Sequence, residues 1–136
     1  NDFDRNFLRN EIIPSLDRRW SKLSERAAFT SLTAKKKKLS LDFMLESTFK
    51  KEIYSGTIAR EDFIDIPSFL IEELIRLILR KKGIALPSQK VLSEIMNVFF
   101  HKKPSNESYV EWSRKDGEQI GGKVFSEHND IILKKK

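Results

Sequence analysis

The segment Pro67–Gly83, PSFLIEELIRLILRKKG, constrains the fold more than any other part of the chain. Drawn as a helix, it has only a narrow polar stripe at Glu72, Arg76 and Arg80. Proline is favoured in the first turn of a helix and glycine just past the last turn, so the two end residues mark its limits. A helix with so little polar surface must be covered by other elements, and we expect it to form the centre of the core.

Helical spacing also extends on both sides of this segment. No glycine or proline interrupts Lys22–Ser55, where apolar residues recur at helical intervals after the candidate N-cap Ser21. The pattern predicts one long helix, or two with a break near Lys35–Ser40, where a turn of four lysines favours fraying. Gly56 should end this unit, and Ser88 can cap a further helix.

From Ser108 the apolar period becomes that of short strands. The predicted strands are Tyr109–Trp112, Gln119–Ser126 and Asp130–Leu133, with turns at Lys115-Asp116-Gly117 and His128-Asn129. Gly121-Gly122 indicates a bulge or a close approach of another backbone. The predicted fold class is therefore α+β, mainly α: a helical body with a small C-terminal three-stranded antiparallel sheet.

The opening stretch Arg5–Trp20 has a helical pattern with two anomalies. Its apolar ridge is made of Leu8, Ile12, Leu16 and Trp20. Arg5 and Arg9 fall on the same ridge, and Pro14 should kink or divide the helix near Ile13. Either the arginine stems pack while their heads reach water or nearby carboxylates, or the guanidinium groups point at the carboxylates or phosphates of a partner.

Composition limits the classes of function. The 136 residues suit one domain plus the opening helix, and 26 Lys and Arg against 20 Asp and Glu favour a polyanionic partner. The absence of cysteine excludes disulfides and thiolate metal sites, and His101 and His128 lack zinc-site spacing. With no apolar run long enough to span a bilayer and no signal peptide, we expect a soluble, cytoplasmic protein that does not bind membranes.

The motifs favour binding over catalysis. The five glycines lack the spacing of a phosphate loop and no nucleophile motif is present, so we assign no catalytic, metal or cofactor residue. Arg18, Arg19 and Lys35-Lys36-Lys37-Lys38 could follow a phosphate backbone from one side of a helical pair. The alternative is that the lysines form only a solvated turn. We interpret Trp20, Trp112 and Tyr109 as packing groups rather than base-stacking platforms.

The opening residues resemble a known family. Arg5-Asn6-Phe7-Leu8-Arg9, then Glu11-Ile12-Ile13-Pro14 and Leu16, then Arg19-Trp20, are similar to the segment that follows the catalytic domain of tRNA(Ile)-lysidine synthetase. Leu74 to Arg80 before Gly83, Pro87-Ser88 and the hairpin from Val124-Phe125 to Leu133 resemble its substrate-binding domain in the same order. The terminal hairpin departs from the family pattern, with Phe125, Ser126 and Glu127 where arginines are frequent.

The resemblance implies a ligase that uses ATP, with magnesium, to join lysine to the wobble cytidine of an isoleucine tRNA. Its ATP loop, Ser-Gly-Gly-x-Asp-Ser, is not in this sequence. We therefore expect residues 1–21 to be a junction helix after an absent catalytic domain, and residues 22–136 to be a tRNA-binding domain. Arg5, Asn6 and Arg9 would then meet the catalytic domain or the tRNA.

Two functions from different classes remain open at this point. The first is the non-catalytic, tRNA-holding part of such a ligase, and it expects the chain, which begins at Asn1 without methionine, to be a piece of a longer protein. The second is a free-standing helical module for protein interaction with no RNA role. The oligomeric state cannot be inferred from these patterns.

Overall fold

The computed structural model describes residues 2–113 and 120–136. The chain forms two compact units, one ending at Phe43 and the other spanning Met44–Lys136. We call them the N-terminal unit and the C-terminal unit. The boundary predicted after residue 21 separates a junction helix from a tRNA-binding domain, and it stays a prediction.

The opening stretch is helical and divided ahead of Pro14. Helix α1 spans Asp2–Phe7, a π-helical turn spans Leu8–Ile12, and α2 spans Ile13–Arg19. Pro14 lies in the first turn of α2, directly after the π-helical turn. The wider turn before it avoids the clash that the proline ring would make with a regular helix. The kink or division predicted near Ile13 takes the form of this π-helical turn, because the φ and ψ of Ile12 and Ile13 remain helical.

The long helix α3 spans Leu23–Thr48 without interruption. The backbone N–H of Ser24 donates to Asp17 Oδ1 at 2.9 Å, and the Ser24 hydroxyl donates to the other oxygen of that carboxylate. Asp17 thus caps the start of α3, a role that the sequence pattern had assigned to Ser21. Of the two alternatives left open by the sequence, the uninterrupted helix holds through Lys35–Ser40, and no break occurs there.

The interruption comes instead at Phe49, whose φ of −114° and ψ of 40° are not helical. Its ring lies 5.2 Å from the ring of Phe63. Helix α4 then spans Lys50–Ser55 and ends at Gly56, whose φ of 77° is the left-handed conformation that glycine adopts without strain. The predicted end at Gly56 is confirmed.

Helix α5, Ser68–Lys81, is the centre of the core of the C-terminal unit, as predicted. Its buried residues are Ile71, Leu74, Ile75, Leu77, Ile78 and Leu79. Helix α6, Gln89–Met96, continues into a π-helical turn, Asn97–His101, and adds a second buried face. The Ser88 hydroxyl accepts from the backbone N–H of Val91 at 3.3 Å, so the predicted cap of α6 is confirmed.

The sheet has four antiparallel strands rather than the predicted three. They are β1 (Thr57–Ala59), β2 (Tyr109–Trp112), β3 (Gly122–Glu127) and β4 (Asp130–Lys135), in the order β1-β4-β3-β2. The additional strand, β1, pairs with β4 and was not among the predicted strands. The mainly α, α+β class is confirmed.

Tight geometry holds the sheet at both ends of β3. His128 and Asn129 have φ of 49° and 72°, which is the two-residue hairpin turn predicted there. A Cβ on Gly121 would collide with the backbone of Trp112, so the predicted close approach of another backbone is confirmed, and a Cβ on Gly122 would meet the Trp112 ring and Ile84. Trp112 is buried and its Nε1 donates to the Ala85 carbonyl at 2.6 Å. The other predicted turn, Lys115-Asp116-Gly117, lies outside the described residues.

Candidate nucleic-acid interface

Positive charge is concentrated in the N-terminal unit. Its sequence has ten Lys and Arg against six Asp and Glu, so these 43 residues hold most of the chain's surplus of +6. All of the residues predicted to bind RNA or the catalytic domain fall within this unit. An excess of this kind attracts phosphate-bearing partners over distances of about 10 Å at ordinary salt.

Arg5, Asn6 and Arg9 are exposed. The first two belong to α1 and Arg9 belongs to the π-helical turn. Phe3, Phe7 and Leu8 lie among them and are 78%, 50% and 51% exposed. The arginines on the apolar ridge therefore lie beside uncovered apolar side chains, as a contact surface for a partner would have them.

Arg18 and Arg19 occupy the last turn of α2, where positive charge complements the negative end of the helix dipole. The Arg19 Cζ lies 5.3 Å from the centroid of the Trp20 ring, which orients this guanidinium group. Trp20 is 53% exposed, so its interpretation as a packing group is wrong. The pair is an exposed basic site beside an exposed indole.

Lys35, Lys36, Lys37 and Lys38 form a turn in the interior of α3. Successive helical residues are rotated by about 100°, so these side chains point around the helix rather than to one side. Lys35 also lies about 18 Å along the axis from Leu23, at 1.5 Å per residue. Lys38 Nζ lies 2.6 Å from Asp42 Oδ1, whereas the other three lysines are exposed. The structure does not gather this run and the two arginines at one point.

The N-terminal unit also leaves its apolar residues uncovered. No residue of α1, the π-helical turn or α2 is buried, and the buried residue of α3 is Leu45, which belongs to the other unit. Phe29, Leu39 and Phe43 are 72%, 60% and 74% exposed. An apolar groove of about 330 Å³ lies along Ile13, Leu16 and Leu23. These surfaces suit contact with another folded body.

A second polar cluster lies in the C-terminal unit. Ser68 Oγ is 3.2 Å from His101 Nε2, and His101 Nδ1 is 3.1 Å from Asn97 Oδ1. These hydrogen bonds tie the start of α5 to the π-helical turn after α6. The three side chains are exposed, and we assign them a structural role. No cluster of metal-ligating side chains and no membrane-spanning helix occurs among residues 2–113 and 120–136.

Sequence reasoning missed a group of residues on the sheet. Tyr109 was interpreted as a packing group, but it is 58% exposed. Lys123 Nζ lies 4.4 Å from the centroid of its ring, and Lys134 Nζ lies 4.6 Å from the centroid of the Phe125 ring. Strand alternation indicates which residues of one strand share a face. Which of them are neighbours across strands also depends on the pairing register, which the sequence did not give.

Comparison with known proteins gives a consistent relationship. No family model matches the chain. It is 32% identical over 111 residues to "tRNA(Ile)-lysidine synthase" of Buchnera aphidicola subsp. Acyrthosiphon pisum, a match covering 80% of this chain and 25% of that protein. The protein of the same name from Actinobacillus pleuropneumoniae is 31% identical over 98 residues, covering 69% of this chain and 23% of the relative.

A third relative of that name, from Haemophilus influenzae, is 25% identical over 134 residues, covering 97% of this chain and 29% of its own length. The chain thus spans less than a third of the length of the curated relatives that it matches. The chain is therefore related to the tRNA(Ile)-lysidine synthases and corresponds to about a quarter of their length.

Proposed function

We propose that this chain is the tRNA-holding, non-catalytic part of a tRNA(Ile)-lysidine synthase. That ligase would use ATP and magnesium to join lysine to the wobble cytidine of an isoleucine tRNA. The relatives extend well beyond the matched region, and we assign the ATP chemistry to the remainder of their length. The observation that carries the proposal is the basic surplus of the N-terminal unit, joined to the similarity of the chain to these enzymes.

The basic residues have separate roles in this proposal. Arg18 and Arg19, together with Lys35, Lys36, Lys37 and Lys38, contact tRNA phosphates. Because the lysines are spread around α3 and lie far along its axis from the arginines, they meet different parts of the RNA backbone rather than one phosphate cluster. Such contacts position the RNA without reading its sequence.

Arg5, Asn6 and Arg9 are proposed to face the catalytic domain or the tRNA bound to it. Their exposed apolar neighbours favour a protein surface, and the planar guanidinium fork suits carboxylates on that surface. The exposed apolar residues also support the second candidate, a module that only binds proteins. A partner of that kind would not make binding to RNA depend on Arg18 and Lys36.

A salt titration of tRNA binding tests this function. The test variant replaces Arg18, Arg19, Lys36 and Lys37 with glutamine, and the control replaces the exposed Lys50, Lys51, Lys90 and Lys103 in the same way. Both variants lose the same charge, but the control loses it from the C-terminal unit.

Each phosphate contact contributes about 0.9 to the slope of log affinity against log salt for a duplex. We expect the slope to fall by about 3.6 in the test variant and to stay near the parent value in the control. Equal slopes for the test variant and the parent would contradict the role assigned to these residues and favour the protein-binding module.

A further inference from the structure

The outer face of the sheet carries a row of apolar and aromatic side chains. Val110, Val124 and Ile131 point into the core from three different strands. Because side chains alternate along a strand, the residues next to each of them point outward. In the pairing register, Tyr109 lies opposite Phe125, Phe125 opposite Ile132, and Ile132 opposite Thr57. One row therefore crosses all four strands.

A second row, formed by Lys123 and Lys134, runs beside the aromatic one. Lys123 lies opposite Lys134 in the register, and Glu111 lies opposite Lys123. The Lys123 and Lys134 ammonium groups sit over the Tyr109 and Phe125 rings, each ring belonging to the neighbouring strand. Lys135 and Lys136 are exposed at the same end of β4, and Lys136 is 3.0 Å from Glu111. The face therefore offers flat rings with positive charge along one side, whereas Glu127 and Asp130 form the next outward-facing pair on the other side.

Stability does not account for this arrangement. Tyr109 is more than half exposed, so little of its ring is removed from water. An exposed cation over an aromatic ring contributes only about 0.5–1 kcal/mol. The face is thus free for a ligand that covers the rings and meets the ammonium groups.

We propose that the outer face of this sheet binds unpaired nucleotides of RNA. Bases stack on Tyr109 and Phe125, and the ammonium groups of Lys123 and Lys134 move off the rings to the phosphates. Stacking of a base on an aromatic side chain outweighs the cation–ring contact that it replaces, with about 1–3 kcal/mol against about 0.5–1 kcal/mol. The rings lie on adjacent strands, which suits two successive bases.

The chemistry of the face favours this occupant over an acidic peptide. Carboxylate side chains would meet the lysines but would leave the aromatic row uncovered, whereas a nucleotide strand supplies a planar group and a phosphate at each step. A duplex hides its bases in the stack and cannot cover the rings. The proposal goes beyond the phosphate contacts of the N-terminal unit, and it rests on the proposed function only in naming RNA as the polymer.

Binding of a fluorescently labelled single-stranded RNA twelve-mer, followed by anisotropy, tests the inference. One variant carries Tyr109→Leu and Phe125→Leu, which keep apolar bulk but remove the rings. A second carries Lys123→Gln and Lys134→Gln. The matched control is Tyr54→Leu, since Tyr54 is an exposed tyrosine on α4, outside the sheet. Thermal unfolding of each variant confirms that the fold is intact.

We expect the leucine pair to weaken binding about a hundredfold, or about tenfold per ring, with the salt slope unchanged. The glutamine pair should weaken binding and also lower the slope by about 1.4. Tyr54→Leu should bind like the parent. The inference is overturned if the chain does not bind the twelve-mer, if the leucine pair binds it as tightly as the parent, or if a blunt duplex of the same length binds with the same sensitivity to these changes.

The two proposals fail independently. If the sheet variants bind RNA normally while the Arg18, Arg19, Lys36 and Lys37 variant loses salt-dependent tRNA binding, the face is not a nucleotide platform and the tRNA-holding role stands. If only the sheet variants lose binding, the nucleotide platform stands and the phosphate contacts assigned to the N-terminal unit are wrong.

Discussion

The Asp17 carboxylate shows how one side chain can define where a helix begins. The Ser24 hydroxyl, then the Ser24 backbone N–H and, more weakly, the Leu23 N–H hold its pKa below the ordinary value of 3.8, against a small opposing effect of burial. The folded form thus favours the charged carboxylate. Its contribution to the helix start is complete above the ordinary value and is lost as the pH falls through 3.8 to the lowered pKa.

We predict that Ser24→Ala raises the pKa of Asp17 toward the ordinary value, because the largest of the hydrogen bonds is removed while the backbone donors remain. Side-chain carboxyl chemical shifts followed by NMR between pH 2 and pH 6 measure it. Ser15→Ala is the control, since Ser15 lies in α2 outside this cap. An unchanged Asp17 pKa in Ser24→Ala would show that the serine hydroxyl does not hold the carboxylate.

Gly122 is a residue whose lack of a side chain the sheet requires. A methyl group there would meet the Trp112 ring, which the hydrogen bond to Ala85 fixes in place. We predict that Gly122→Ala lowers the free energy of unfolding by about 1–3 kcal/mol, the usual cost of overpacking. Gly83 has a positive φ but nothing within 4 Å, so Gly83→Asn, which tolerates that conformation, should change it little. Urea titration of both variants checks this, and equal losses would contradict it.

At the scale of elements, Arg60 joins the start of the sheet to the end of the helical body. Its Nε donates to the Phe99 carbonyl at 3.0 Å, and its Nη2 lies 3.4 Å from the Lys102 carbonyl. The Phe99 carbonyl lies within the π-helical turn and the Lys102 carbonyl just after it, and the last carbonyls of a helix have no further helical N–H to bond.

We predict that Arg60→Met lowers the free energy of unfolding by about 1–2 kcal/mol, because it removes charged donors from partly buried carbonyls while it keeps the length of the side chain. Lys103→Met is the control, an exposed residue just beyond the same turn. The urea midpoint of each variant measures the loss. A midpoint for Arg60→Met equal to that of the control would mean that the carbonyls are satisfied without Arg60.

The elements also show what could be predicted from the sequence. Helix α5 was predictable because its apolar residues, Pro67 and Gly83 all indicate the same limits. Strand β1 was not, since three residues are too few to show a period and their pairing with β4 is remote in sequence. The sequence left open whether α3 continues through Lys35–Lys38, because four lysines in one turn would conflict with a packed helix face. Lys35, Lys36 and Lys37 are exposed, so the lysines do not interrupt the helix.

For the candidate site, the sequence could identify charged residue types but not their common surface. The run of lysines and the pair Arg18 and Arg19 were visible as charges, yet only the helix geometry shows that they lie apart. Tyr109 could not be placed on an exposed face before its register with Phe125 was known. The sequence therefore predicts the sign of the partner's charge, whereas the residues that share the outer face of the sheet could be identified only from the fold.

At the scale of the whole molecule, we propose that this chain holds the tRNA and that the rest of the ligase carries out the chemical steps. Removing phosphate contacts should then weaken the capture of tRNA without slowing the reaction of bound substrate. A variant that only misfolded would lower the amount of active enzyme instead. Steady-state kinetics of the complete ligase can separate these outcomes.

The most direct measurement is lysidine formation by the complete ligase with Arg18, Arg19, Lys36 and Lys37 replaced by glutamine. We predict that KM for tRNA rises about tenfold or more, while kcat and KM for ATP stay at the parent values. A fall in kcat with an unchanged KM for tRNA would contradict it, because these residues would then act in the chemical step rather than in holding the substrate.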